Sequence, residues 1–434
     1  MSPTEPEVIP NEGMAPVSAD DLPEVTPRAR MAPAEALERL RRGEVVDNVR
    51  IDRLCFKGDF PKPMRLVNVF LGQPQFDGAA FAADVTFARC TIDRPRFNRP
   101  TTFAAGLALD GSTLCFAQLR NLTVKGKFSC DNAVFRGKFL VAGSRFEGPV
   151  RFWEAQFRGW TEFKECEFLQ DADLRSFHAT EGFVMTRCRC AGDVLFRGST
   201  VHKKWDGNGT RFDGLLDFSK AKLHDFVYLE TIEQGPRQRF AFINALAERL
   251  LVRTEQLEGR LASEQVEDHK QAMHEYALLK RSFGALHRFD QEDWAYYRFK
   301  VSQRRSAARS WLRPWTKVNQ VLEWLLLDHG CGYCTNPYRA VRTGLVIMVA
   351  FGVLYAIGIE TLHLDNCPFE GAKTTPANRA VLGLFTSVSV FTSGLSGIRD
   401  AARGWMNIPL IVEAFLGTLL WGLFIVAFSR KVIR

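Results

Sequence analysis

The chain has 434 residues, a formal net charge of +8 and a mean hydropathy of −0.12. That length accommodates two or three domains, and that hydropathy excludes a protein embedded in a membrane throughout. The basic balance excludes an acidic mimic of DNA and points instead toward an anionic lipid surface.

Residues 1–34 are rich in Pro, Glu and Ala and predict a disordered tail. No apolar segment lies near the N-terminus, so no signal peptide is expected. Residues 35–75 predict an N-terminal cap, in which 45–75, with strand-like stretches at 45–51 and 64–70, reads as a terminal coil or cap.

From about Phe76 an apolar residue returns every five or six positions. Phe146, Phe152, Phe157, Phe163 and Phe168 give steps of 6, 5, 6 and 5, a true period of 11 with two large residues per unit. One series runs Phe135, Phe146, Phe157, Phe168, Ala179, Cys190, Val201, Phe212, Leu223. The other runs Val141, Phe152, Phe163, Leu174, Met185, Phe196, breaks at Gly207, and resumes at Phe218 and Leu229. Small residues such as Ser144, Ala155, Cys166, Cys188 and Ser199 stand two positions before the first series. Before the second, larger ones stand: Val150, Thr161, Val194, Leu216 and Val227. Neither a helix nor a flat strand has this spacing. A solenoid whose stacked coils bury the repeated positions does. Over residues 76–230 the pattern resembles the pentapeptide-repeat family, with Phe-centred units in place of its common Ala-Asp/Asn-Leu motif. The resemblance implies a right-handed quadrilateral β-helix. The ten cysteines lack framework spacing, and Cys166, Cys188 and Cys190 fall on inward beats, as free buried thiols would.

Residues 231–312 predict a cytosolic helical connector, from Leu246, Leu250, Leu257 and Leu261, then Met273, Tyr276 and Leu279. Gln291–Lys300 mixes aromatic and charged residues, which suits packing on its own domain or a contact between subunits. Residues 313–337 predict an interfacial helix, apolar and Trp-bearing over Val318–Leu327, and then a turn. Cys331 and Cys334 have CxxC spacing, but a zinc site needs four ligands and no second pair exists, so no metal is expected. Together, connector and turn resemble pentapeptide-repeat proteins that end in a channel domain, whose turn reads Cys-Gly-Tyr-Gly. Cys334 stands where they have the last glycine.

Residues 338–434 read long apolar run (about Thr343–Ile359), short run (Ala380–Phe391), long run (Ile408–Phe428). A span needs roughly 17–25 apolar residues, and a run of about 10–14 suits a re-entrant helix. Thr375 and Pro376 suit an N-cap and first helical position, which predicts a short helix from Pro376 to about Phe391. This plan resembles the two-span pore module of potassium-type channels. The resemblance places the selectivity filter at Thr392, Ser393, Gly394, Leu395, Ser396 and Gly397, with Arg399 and Asp400 at the outer mouth. Leu395 occupies a filter-glycine position, which implies weak selectivity among cations. Glu413, alone in its apolar run, is expected to brace the re-entrant helix through Ser or Thr. Gly417 and Gly422 are candidate hinges or close helix contacts.

The resemblance implies a homotetramer conducting inorganic ions across a bilayer, because two spans cannot enclose a pore alone. A membrane-anchored scaffold with a non-conducting or anion-permeable pore is the alternative. Arg304, Arg305, Arg309, Arg313, Lys317, Arg339 and Arg342 precede the first span, and Arg430, Lys431 and Arg434 follow the last. This predicts an inner-membrane protein with both termini cytoplasmic. The β-helix would then meet a cytosolic partner of unknown kind, and no nucleic acid. No nucleophile–base pair, phosphate loop or metal motif is present, so neither an enzyme nor a cofactor is expected.

Overall fold

A computed structural model describes residues 29–97, 99–307, 318, 320–362, 375–393 and 404–433. Most of the expected tail lies outside them, although Ala29–Arg30 already pairs as a strand with Val49–Arg50.

The Phe beat forms a parallel β-solenoid of about ten turns. Its strands assemble into ladders of sixteen, ten and nine strands along the long axis. Phe135 pairs with Phe157, Phe157 with Ala179, Ala179 with Val201 and Val201 with Leu223, so two 11-residue units make one coil. Stacking places equivalent side chains above one another. The rings of Phe135 and Phe157 lie 4.8 Å apart, and those of Phe196 and Phe218 5.2 Å. Both series and the residues two positions before them are buried in one continuous core. Truncating one such Phe to Ala costs roughly 3–5 kcal/mol.

The break in the second series at Gly207 is filled. Trp205, two residues earlier, points inward and is 0% exposed. A Cβ on Gly207 would meet its ring at 3.0 Å. The large and small positions have exchanged, and core volume is preserved.

The solenoid extends beyond both predicted limits. Strands from Val46–Asp47 onward join the same ladders, so of the two readings of residues 45–75 these strands form terminal coils. The early coils are shorter: Arg50 pairs with Phe70 and Phe70 with Thr91, which hides the 11-residue beat. The cap itself is helix α1 (Pro33–Arg42), which buries Ala36 and Leu40 over the first coil.

At the other end the ladder continues to Leu251. Leu246 and Leu250, read from sequence as helical, lie on a strand paired with Lys222–Tyr228. The Gly235–Gln238 stretch explains the misreading. Phe212 still pairs with Gln234, but Leu216 pairs with Phe240, so two extra residues shift the phase between them.

After single turns α2 (Thr254–Leu257) and α3 (Ala262–Gln265) come α4 (His269–Ala285) and α5 (Phe289–Ala307). The last coil of a solenoid exposes backbone N–H groups that need acceptors. Helix α4 supplies them: Glu275 accepts from the Phe242 amide at 2.6 Å, and the Ser282 hydroxyl from the Leu250 amide at 2.6 Å. The carboxylate of Glu275 also accepts from the Ser263 hydroxyl. Burial pushes Glu275 up to about 7, against those two hydrogen bonds.

A π-helical stretch (Glu323–His329), α6 (Pro337–Ile357), α7 (Pro376–Ser393) and α8 (Asn407–Val432) complete the described chain. Of the described helices, α6 and α8 are long and apolar enough to cross a membrane. The 18-residue α7 carries Asn378, Arg379 and several hydroxyls and is not among them.

Candidate functional site

Helices α6, α7 and α8 pack into a three-helix unit built on small residues. A Cβ on Gly383 of α7 would lie 2.3 Å from the Gly352 carbonyl oxygen of α6. A Cβ on Gly417 of α8 would lie 2.5 Å from the Phe391 carbonyl oxygen at the end of α7. Gly417 is therefore a close helix contact. Gly422, one turn and a residue further, has nothing within 4 Å of an added Cβ among the described residues. Between α6 and α8, beneath Phe391, lies an apolar cleft of about 170 Å³ reaching from Gly344 to Trp421.

Glu413 lies at the centre of the unit and is 0% exposed. Ser387 of α7 and Tyr355 of α6 both donate to its carboxylate, the latter at 2.6 Å. The single Ser387 proton is shared between that carboxylate and the Met348 carbonyl oxygen of α6, which lies 2.8 Å away. One acid thus ties three helices, each polar group satisfied without water. The lone charge in an apolar run announced a partner. Neither Ser387 nor Tyr355 was individually legible, since several hydroxyls punctuate the same runs.

Thr392 and Ser393 form the last turn of α7, two residues beyond its predicted end, and Thr392 donates to the Val388 carbonyl at 2.7 Å. Gly394, Leu395, Ser396, Gly397, Arg399 and Asp400 lie outside the described residues. On the side of α7 away from α6 and α8, Val381, Phe385 and Val388 are exposed.

A second cluster joins this unit to the solenoid. Helix α5 sends a stripe of residues three and four apart toward the ends of the long apolar helices. Asp293 pairs with Arg430 of α8 at 2.7 Å, and the Arg430 guanidinium lies 4.7 Å over the Tyr296 ring. Asp328 receives Arg304 on one oxygen at 2.7 Å and the Tyr297 hydroxyl on the other at 2.8 Å. Arg339, at the start of α6, stacks 4.7 Å over Tyr297. The Gln291–Lys300 stretch therefore packs on its own chain, with Trp294 edge-on to Tyr276 of α4. None of these pairs was readable from sequence, because partners such as Asp293 and Arg430 lie far apart along the chain.

The turn before α6 holds Cys331 and Cys334 with sulfurs 3.7 Å apart. Gly332, Tyr333 and Cys334 all have left-handed backbone (φ 57°, 53° and 62°). Cys334 thus occupies a conformation that favours glycine. Among the described residues no group of three or more His, Cys, Asp or Glu is placed to hold a metal ion. The nine described cysteines are free thiols.

No protein-family model, curated protein or solved structure matches this chain.

Proposed function

We propose that four copies of this chain form an ion channel, weakly selective among cations, with the solenoid as a regulatory or assembly domain. In this reading α6 and α8 are the outer and inner spans, and α7 is the re-entrant helix. Residues 392–397 form the filter, and the β-helix is quadrilateral and right-handed. Both termini lie in the cytosol.

The observation that carries the proposal is the fixation of α7. Glu413, Ser387 and Gly417 hold one face of it against both apolar helices, while Val381, Phe385 and Val388 on its other face are exposed in the single chain. Neighbouring copies around a four-fold axis would cover that second face and bring the ends of four such helices together. The C-terminal dipole of each would favour a cation there. The contacts of α5 with Arg430 give the solenoid a direct hold on the end of the inner span, and those with Asp328 a hold on the stretch before the outer one.

Recording from purified protein in planar bilayers under asymmetric KCl tests this. The expected result is current whose reversal potential responds weakly to replacing K⁺ by Na⁺. A reversal potential tracking K⁺ alone refutes the weak selectivity. One tracking Cl⁻, or no current, refutes the cation channel in favour of an anion-permeable or closed membrane scaffold. A monomer in mild detergent refutes the assembly.

A further inference from the structure

The turn between the π-helical stretch and α6 combines three features that a plain connection does not need. Two thiols stand with their sulfurs 3.7 Å apart. A disulfide needs about 2.05 Å, so the sulfurs stand about 1.7 Å short of bonding. The Cys334 amide donates to the Cys331 sulfur at 3.3 Å, which holds the pair in register. Cys334 has a left-handed backbone that glycine would adopt without strain, so the strained side chain at this position is the one that completes the pair.

The two sulfurs differ in environment. Cys331 is 0% exposed, and its sulfur lies 3.5 Å from the Leu327 carbonyl oxygen. Cys334 is partly exposed. The Cys331 thiol hydrogen-bonds it and the Arg430 guanidinium lies near, which together pull Cys334 down to about 7. An accessible thiolate backed by a buried thiol is the arrangement of an attacking and a resolving cysteine.

We propose that Cys331 and Cys334 form a reversible dithiol–disulfide site that exchanges with small disulfides such as oxidised glutathione. The Cys334 thiolate attacks one sulfur of the glutathione disulfide, forming a mixed disulfide and releasing one glutathione thiolate, which takes up the proton of Cys331. The Cys331 sulfur then attacks the Cys334 sulfur, breaks the mixed disulfide and releases the second glutathione. Two protein thiols are oxidised to one disulfide, and one glutathione disulfide is reduced to two thiols. The site does not depend on the channel reading.

The test uses full-length protein in detergent micelles, equilibrated with reduced and oxidised glutathione, acid-quenched, alkylated and digested with trypsin. Residues 318–339 form one tryptic peptide containing both cysteines and no others. Its disulfide form, about 2 Da below the mass of the unmodified dithiol and carrying no alkyl group, is expected to grow at the expense of the doubly alkylated form as the oxidised fraction rises, and to disappear on reduction. Cys331→Ser should trap Cys334 as a glutathione adduct, and Cys334→Ser should leave Cys331 unmodified. In the reduced protein Cys334 should alkylate about tenfold faster than Cys331 at pH 7. Cys334→Gly, compatible with the backbone, should melt no lower than the parent and show no oxidation of the peptide. A peptide that stays reduced at every ratio, a mixed disulfide that persists in the parent, or equal modification of the two single serine variants overturns the proposal.

Discussion

Replacing Gly417 and Gly422 separately by alanine probes the packing of α8 on α7. Both glycines are interior to the same helix, so each substitution gains about 1 kcal/mol of helix propensity. That gain cancels when the two variants are compared. At Gly417 the new methyl would sit 2.5 Å from the Phe391 carbonyl oxygen and 3.2 Å from two further backbone atoms of Phe391. Ordinary contact begins near 3.4 Å, so the end of α7 must retreat by about 0.9 Å. The obstacle is backbone and cannot rotate away. Overpacking of this kind costs roughly 1–3 kcal/mol. At Gly422 nothing lies within 4 Å, and no such cost arises within the chain. Gly417→Ala should therefore be less stable than Gly422→Ala by about 1–3 kcal/mol, or roughly 5- to 150-fold in the unfolding equilibrium. Reversible SDS titration of the purified protein in mixed micelles, followed by Trp fluorescence, reads the difference. Equal stability, or a Gly417→Ala variant above Gly422→Ala, refutes the close contact and the fixed position of α7 built on it.

Three other expectations follow from the described contacts. Glu413→Ala strands the Tyr355 hydroxyl and removes one partner of Ser387, and should lower stability by about 1–3 kcal/mol, whereas Glu413→Gln retains an acceptor and should lose less in the same titration. Asp293→Asn and Arg430→Gln, singly and together, should show a coupling of about 0.5–3 kcal/mol in a double-mutant cycle; additive effects would mean that α5 and α8 do not interact there. Glu275, with its folded-state value raised to about 7, keeps a proton between pH 4.5 and 7 that the unfolded chain releases. Its contribution to stability therefore declines as pH rises through that window and is flat above it, by at most about 3 kcal/mol. Glu275→Gln should flatten this part of the pH dependence of thermal unfolding, and an unchanged profile would show that the carboxyl is ionised throughout.

The solenoid was legible wherever coil length was constant. Phe135, Phe157 and their successors recur at the same interval because each coil places the same position inward, and one period describes all of them. Legibility failed where coil length changed. The shorter coils around Arg50 and Phe70 and the two-residue insertion before Phe240 leave inward positions in place in space but shift them in sequence. Leu246 and Leu250 then fell by chance on helical spacing. The break at Gly207 was visible, but its filling by Trp205 required knowing that both side chains enter the same layer of the core.

In the helical part, run length and hydropathy located α6, α7 and α8 to within about six residues at each end, because a membrane span and a capped short helix are local properties of the chain. The lone Glu413 also declared that something must satisfy it. Which groups do so was decided only by tertiary structure. Tyr355 and Ser387 reach it because α6 and α7 cross at the Gly352–Gly383 contact, and that crossing depends on two glycines on different helices meeting in space. The same holds for Asp293 with Arg430 and Asp328 with Arg304, which join α5 to the ends of the apolar helices. Periodicity and hydropathy are properties of neighbours along the chain and can be read from it. Hydrogen bonds and ion pairs between distant residues depend on how whole elements pack, and no local pattern encodes them.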